Sequence, residues 1–322
     1  MENIKLTITC GGYVQEPLVL EGITWETSRK EEPSKLNFTV VKDNLISFNE
    51  GSEVNLYVGD THIFKGYVFE KSRNKDHHID VTAYDQLRYL QNKTTYRWYG
   101  LRCDQVIDRI AKDFKLEVGD LANTKFVLPV FDHSDASLFD MIQDAIDETV
   151  YETSNLYYLY DDCGKLTLKN ITDSLLPIII DKDTAEDFSY KTSIDSETYN
   201  RIVIAEDSET AGSGVYKVAM DEENANRWGV LQYFESGYKG LNALNKAKTL
   251  LKMHNRVTRS LTLNDCFGDV KVRGGTSLYV DLDLGDQIAK QKMLVEKATH
   301  TFENNKHSMT LSVTGCEEFY GQ

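Results

Sequence analysis

The chain has 322 residues, enough for two or three domains with separate cores, and 51 acidic against 36 basic side chains give a formal net charge of −15. No stretch concentrates Lys and Arg, so a clamp that holds nucleic acid by neutralising phosphates is disfavoured. There is no run of about 18 apolar residues and no basic start followed by an apolar segment, which predicts a protein without a transmembrane helix or signal peptide, made and kept in a cytoplasm.

Residues 1–92 read as all-β. Ile4, Leu6 and Ile8 alternate with polar neighbours before Gly11-Gly12, Leu18 and Leu20 lead into Trp25, and Leu36, Phe38 and Val40 mark a strand over Lys35–Val41. The clearest stretch is 50–85. There Val54, Leu56 and Val58, then Ile63, Gly66 and Val68, then Ile79, Val81 and Ala83 predict a three-stranded meander, with turns at Gly59-Asp60 and over 72–78. About six short strands at this spacing predict a small barrel or sandwich, with few loops long enough to hold an active site.

After residue 92 the period becomes helical. Asp104 is placed to cap a helix carrying Val106, Ile107, Ile110, Ala111 and Phe114 on one face. A second helix starts near Ser134 or Ser137 with Leu138, Met141, Ile142, Ala145, Ile146 and Val150 as its stripe. The segments flanking Asp161-Asp162-Cys163-Gly164 predict a hairpin over 155–169. Residues 93–190 are thus expected to form an inserted α/β domain of two helices plus a hairpin.

A β-rich run at 199–205 is read as the start of a second β-unit, residues 191–322. An excursion at 211–256 interrupts it with a Gly-containing loop, a short strand from Val215, and a helix over 241–255. That helix shows Leu241, Leu244, Ala247, Leu250, Leu251 and His254 on one face and is expected to pack on the middle domain. Strands are expected again at 260–263 and 270–273. The meander pattern then returns over 274–315, with VFEKS at 68–72 matching VEKAT at 295–299. The expected fold class is α+β, mainly β, with two related β-barrels, an inserted α/β domain and a helix-bearing excursion.

Chemical motifs are weak throughout. Cys10, Cys103, Cys163, Cys266 and Cys316 are odd in number and scattered, as reduced thiols are. Asp281, Asp283 and Asp286 have a faint calcium-loop spacing, but Leu282 and Leu284 interrupt it and Lys292 stands where a bidentate acid belongs, so a strand entering a Gly-Asp turn is the better reading. His77 and His78 are adjacent and point apart, with no zinc-like partner spacing. Gly212 and Gly214 precede an alternating strand without a P-loop Lys, and no nucleophile elbow or H-E-x-x-H occurs. The aromatic runs Tyr96, Trp98, Tyr99 and Tyr157, Tyr158, Tyr160 are able to stack bases or sugars, yet β-cores and protein interfaces use such runs more often. Glu148 and Glu152, one helical turn apart, read as the solvated flank of the second helix. No catalytic, cofactor-binding or metal-ligating residue is assigned.

The order of these features resembles the XkdQ/YqbQ-type baseplate hub proteins of contractile phage tails, prophages and phage-tail-like bacteriocins, relatives of the late control protein D group. The residues that carry the likeness are 53–60 with 64–68, TAYDQ at 82–86, YNRIV at 199–203, RWGVLQ at 227–232, KAKTLL at 246–251 and VRGGTSLYV at 272–280. Together they span nearly the whole chain. The resemblance implies a structural protein that is not an enzyme and needs no cofactor. Its homotrimer would use two tube-type barrels per subunit to form a nearly sixfold ring, joining the hexameric tail tube protein ring to the central spike protein beside other baseplate proteins. It implies no membrane and no specific nucleic-acid partner, with assembly in the bacterial cytoplasm and a final place in the tail baseplate of a virion or bacteriocin particle.

Symmetry agrees with that expectation, because three copies of a chain with two similar β-units present six similar surfaces. Open strand edges are templates for further strands, so sheet pairing between subunits is expected to join the first β-unit of one chain to the second of its neighbour. The acidic balance is compatible with a channel wall that does not hold DNA. The competing readings are a tail-associated cell-wall hydrolase, which needs two carboxylates or a Cys and His in a cleft, and a carbohydrate-binding β-protein using its tyrosines.

Overall fold

A computed structural model of the chain describes residues 3–43, 46–73, 75, 78–195, 197–206, 215–236, 243–285, 288–304 and 306–315. The fold is α+β and mainly β, as expected. It divides into two compact units, Met1–Ser189 with Leu261–Gln322, and Tyr190–Ser260.

In the larger unit, β1 (Ile4–Cys10), β2 (Tyr13–Gln15), β3 (Ile23–Ser28) and β4 (Lys35–Val41) precede the meander of β5 (Glu53–Val58), β6 (Thr61–Arg73) and β7 (His78–Tyr84). Inward residues follow the period of two, and Leu6, Trp25, Leu36, Phe38, Val54, Leu56, Val68 and Val81 share one core. A 3-10 turn (Gln86–Gln91) leads out of this sheet.

The middle segment holds β8 (Lys93–Arg102), α1 (Cys103–Phe114), β9 (Val118–Leu121), β10 (Val127–Ser137), α2 (Leu138–Thr153), β11 (Tyr157–Asp161) and β12 (Leu166–Asn170). Helix α2 starts as expected, with the Ser137 hydroxyl accepting the Asp140 N–H at 3.0 Å. Helix α1 differs from expectation. Its N-cap is Arg102, and Asp104 lies inside the first turn, where it holds Arg102 (2.8 Å) and accepts from Thr124. The antiparallel pair β8–β10 and the strand β9, which runs parallel to β12, are additions to the expected two helices and hairpin.

Strands β13 (Leu175–Asp181) and β14 (Asp187–Ser193) follow. In the smaller unit, β15 (Arg201–Glu206) pairs antiparallel with β16 (Val215–Met220) and parallel with β17 (Gln232–Ser236), accompanied by α3 (Glu222–Trp228) and α4 (Ala243–His254). The run at 199–205, expected to open the second β-unit, therefore belongs to this separate three-stranded sheet. The inward face of α4 is also rotated from the expected one. It carries Ala243, Lys246, Ala247 and Leu250, while Leu244 is exposed, because the Lys246 ammonium is neutralised by Glu235 at 2.8 Å and its stem can be buried.

The larger unit ends with β18 (Thr258–Phe267), β19 (Ser277–Asp283), β20 (Ile288–Glu303) and β21 (Lys306–Gly315). The expected strand at 270–273 is a turn. Strand order in the main sheet is β14-β18-β21-β20-β3-β4-β7-β6-β5-β1-β2, with β19 on β20 and β13 on β19. Among the described residues these pairings trace an open path, and neither half closes into a ring of its own.

Candidate assembly interface

The two meanders are equivalent in detail. In β6 against β7 the register slips between Val68↔Ala83 and Glu70↔Thr82, leaving Phe69 as the extra residue of a bulge. In β20 against β21 it slips between Val295↔Val313 and Lys297↔Ser312, leaving Glu296 in that role. Thus Val68 corresponds to Val295, the match already visible in VFEKS and VEKAT. The loop before each meander repeats too. Gly51 N–H donates to the Val68 carbonyl (2.7 Å) and Val68 N–H to the Ser52 carbonyl (2.9 Å), as Gly275 donates to Val295 (2.8 Å) and Val295 to Thr276 (2.8 Å).

A bulge bends the long middle strand, so each half of that strand can meet a different neighbour. The first half of β20 pairs with β19, and the second half, Lys297 to Phe302, pairs antiparallel with β3. This seam joins the two β-units within one chain. Arg29 grips the bulge residue Glu296 with Nε at 2.8 Å and Nη2 at 3.1 Å, a bidentate pair at the seam's end. On the outer face Lys297 reaches Glu26 at 3.2 Å. On the inner face Trp25 stacks on His300 with centroids 4.7 Å apart.

His300 is fully buried. Its Nε2–H donates to the Val272 carbonyl at 2.8 Å, which leaves Nδ1 to accept from His307 Nε2 at 2.9 Å, and burial with the nearby His307 lowers its pKa to about 3. The unfolded imidazole titrates near 6.5. Folded stability from this site is therefore complete above that value and is lost as pH falls toward 3. Relative to His300→Phe, the wild type is expected to lose about 2 kcal/mol between pH 6.5 and 5, measured by urea denaturation at each pH.

A second polar cluster ties the middle segment to both β-units. Asp85, at the end of the first meander, accepts from Ser34 N–H (3.1 Å) and Leu87 N–H (3.0 Å). Asp161, at the end of β11, accepts from Gly164 N–H at 2.6 Å. Arg273, just before the second meander, lays its guanidinium 4.1 Å over the Tyr160 ring and donates to the Asp161 carbonyl at 3.0 Å. Burial and, second, the neighbouring Asp161 carboxylate raise the Asp85 pKa, while Ser34 and Arg273 pull it down. Burial likewise raises that of Asp161. These carboxyls are 1% and 5% exposed as residues, so they present almost no surface to a substrate.

The residues weighed from sequence fall elsewhere. Asp281 lies on β19 and pairs with Lys290 at 2.9 Å, Asp283 accepts from Gly285 N–H, and Asp286 lies outside the described residues. His78 sits on β7, whereas His77, Gly212, Gly214 and Cys316 lie outside the described residues. Among the described residues no three of His, Cys, Asp and Glu converge as metal ligands would, and no helix is long and apolar enough to cross a membrane. Tyr96 stacks on Trp98 (4.3 Å) and donates to Asp113 (2.7 Å), while Tyr99 is exposed. Tyr157, Tyr158 and Tyr160 are buried, as structural aromatics are. Glu152 is exposed and Glu148 half-buried on α2. The seam and the Asp85–Asp161–Arg273 cluster were not singled out from sequence, although Asp85 and Arg273 sit inside the motifs TAYDQ and VRGGTSLYV.

Residues 23–314 match the family model described as YQBQ-like. The chain is 29% identical over 306 residues to the phage-like element PBSX protein XkdQ of Bacillus subtilis (strain 168), covering 92% of each chain. Among solved structures, the 43 kDa tail protein of prophage MuSo2 from Shewanella oneidensis superposes with a TM-score of 0.72 at 12% identity, covering 98% of this chain and 99% of that one. A tail protein from Neisseria meningitidis MC58 gives 0.70 at 12% identity, covering 98% of both. These two likenesses concern the fold.

Proposed function

The chain belongs to the YQBQ-like family, and on that premise we propose that it is a structural, non-enzymatic hub of a phage-type tail baseplate, three copies of which form a nearly sixfold ring between tail tube and spike. The observation that carries this reading is the duplicated meander, with the same bulge and the same loop hydrogen bonds in both copies. Two like β-units in each of three subunits supply six like positions, which matches a sixfold tube to a threefold spike. The PBSX relative comes from a phage-like element, and the two solved relatives are tail proteins. In this reading the strands of 1–92 and those of 191–322 outside the separate sheet of β15, β16 and β17 provide the two tube-type β-units, which close only in the assembled ring, and 93–190 is the inserted domain, with its β13 joined to β19.

Assembly in the bacterial cytoplasm and a final place in the baseplate belong to the same proposal. It is tested by the native mass of the purified chain, alone and mixed with candidate tube and spike proteins. Three copies are expected in at least one of these mixtures, since a partner surface stabilises the assembled state by mass action. A monomer in all of them contradicts the hub. Soluble muropeptides released from peptidoglycan by the purified chain would contradict the non-enzymatic part.

A further inference from the structure

The seam that joins the two β-units is used once among the described residues, and the same elements occur a second time with no described strand across from them. We propose that β14 of one copy of this chain pairs antiparallel with the 70–73 edge of β6 in a second copy, in the register by which β3 meets β20. This inference rests on the ring reading above and names its contact.

The short strands β3 and β14 are equivalent in sequence and in topology. ITWETS at 23–28 aligns residue for residue with FSYKTS at 188–193, and each strand is the neighbour of the one that pairs with its meander's last strand, β4 on β7 and β18 on β21. The bulges align Glu70 with Lys297 and Arg73 with His300. Transferring the β3–β20 register places Glu70 across from Ser193, Ser72 across from Lys191 and Arg73 across from Tyr190. Exposure follows the same logic. His300 is buried where β3 covers β20, while its equivalent Arg73 at the end of β6 is exposed; Ala298 is buried and its equivalent Lys71 half-buried, and β14 has β18 as its only described strand neighbour.

The side chains have changed together. Within the chain, Lys297 on the long strand meets Glu26 on the short one. At the equivalent positions of the proposed contact stand Glu70 and Lys191, the same pair with its signs reversed. Within the chain, the bulge residue Glu296 is gripped by Arg29. Its equivalents are Phe69 and Ile194, an apolar pair.

Wrong pairings are disfavoured by the same residues. β3 against β6 would oppose Glu26 to Glu70, and β14 against β20 would oppose Lys191 to Lys297 and leave Glu296 facing Ile194. Opposite charges attract across strands and like charges repel, so these substitutions direct each short strand to one long strand. The occupant of the β6 edge is therefore a second copy of this chain.

The test reverses the charges in the full-length chain under conditions where the wild type gives three copies by native mass. Glu70→Lys alone and Lys191→Glu alone are each expected to lower that population about tenfold, and the double reversal to restore it. In parallel, Glu70→Cys with Ser193→Cys is oxidised and run without reductant, and covalent dimers and trimers are expected. Three-copy assemblies that ignore both single reversals and give no covalent ladder overturn this contact while leaving the ring reading standing. A wild type that remains monomeric with and without its tube and spike partners overturns both.

Discussion

Arg273→Met is expected to destabilise the larger unit by about 3 kcal/mol at pH 7, a fall of roughly 6 to 12 °C in melting temperature. Methionine keeps an apolar stem on Tyr160, so packing is largely conserved and the change is electrostatic. What remains is two buried carboxyls with their cation gone, and removing one partner of a buried charge cluster exposes the full desolvation penalty of the others. Both carboxyls have raised folded pKa values, so the stability they contribute is complete below the unfolded value near 3.8 and is lost as pH rises through the folded values. Without Arg273 those values rise further, and the difference from wild type should grow from pH 5 to pH 8. Adding Asp161→Asn should recover part of the loss by removing the like charge beside Asp85. A difference below about 1 kcal/mol, or one independent of pH, would remove this cluster as the tie between the β-units and the middle segment.

The two loop glycines give a matched experiment on the duplication. Gly51 (φ +82°) and Gly275 (φ +94°) both use the left-handed region that L side chains rarely adopt, and both donate to the middle strand of their meander. Their surroundings differ. A Cβ on Gly51 meets nothing within 4 Å, whereas one on Gly275 would lie 2.2 Å from the ring of Tyr158, which is itself buried and hydrogen-bonded to Ser174 at 2.9 Å. Gly51→Ala is therefore expected to cost about 1 kcal/mol from backbone strain alone, and Gly275→Ala about 3 kcal/mol because the Tyr158 ring must move as well. Chemical denaturation of the two variants checks this. Equal losses would mean that the middle segment does not brace the second meander as Tyr158 indicates.

The meanders were legible because a half-buried strand alternates, and Val54 to Ala83 and Leu278 to Val313 do so with few exceptions. Alternation reports a face and not a partner. The pattern at 199–205 therefore announces a strand without saying that its sheet is the separate one, and ITWETS at 23–28 announces β3 without its partner β20. The rotated face of α4 has a related cause. Periodicity counts Lys246 as solvent-facing, while Glu235, 11 residues away in sequence, lets it turn inward. Strands β8 and β10 are hard to read in the sequence because their outward residues include aromatic and apolar ones, as with Tyr99 and Val127, which blurs the two faces. The cluster of Asp85, Asp161 and Arg273 joins residues 188 positions apart at its extremes, and no local pattern announces such a meeting.

The proposed ring of three chains with duplicated β-units is open to a cryo-electron microscopy map of the assembled particle. One threefold ring of six β-units is expected, in which first and second units alternate, each second unit followed across the subunit boundary by the first unit of the next chain. A ring in which like units meet, or an assembly in which the units do not lie in one ring, would contradict it.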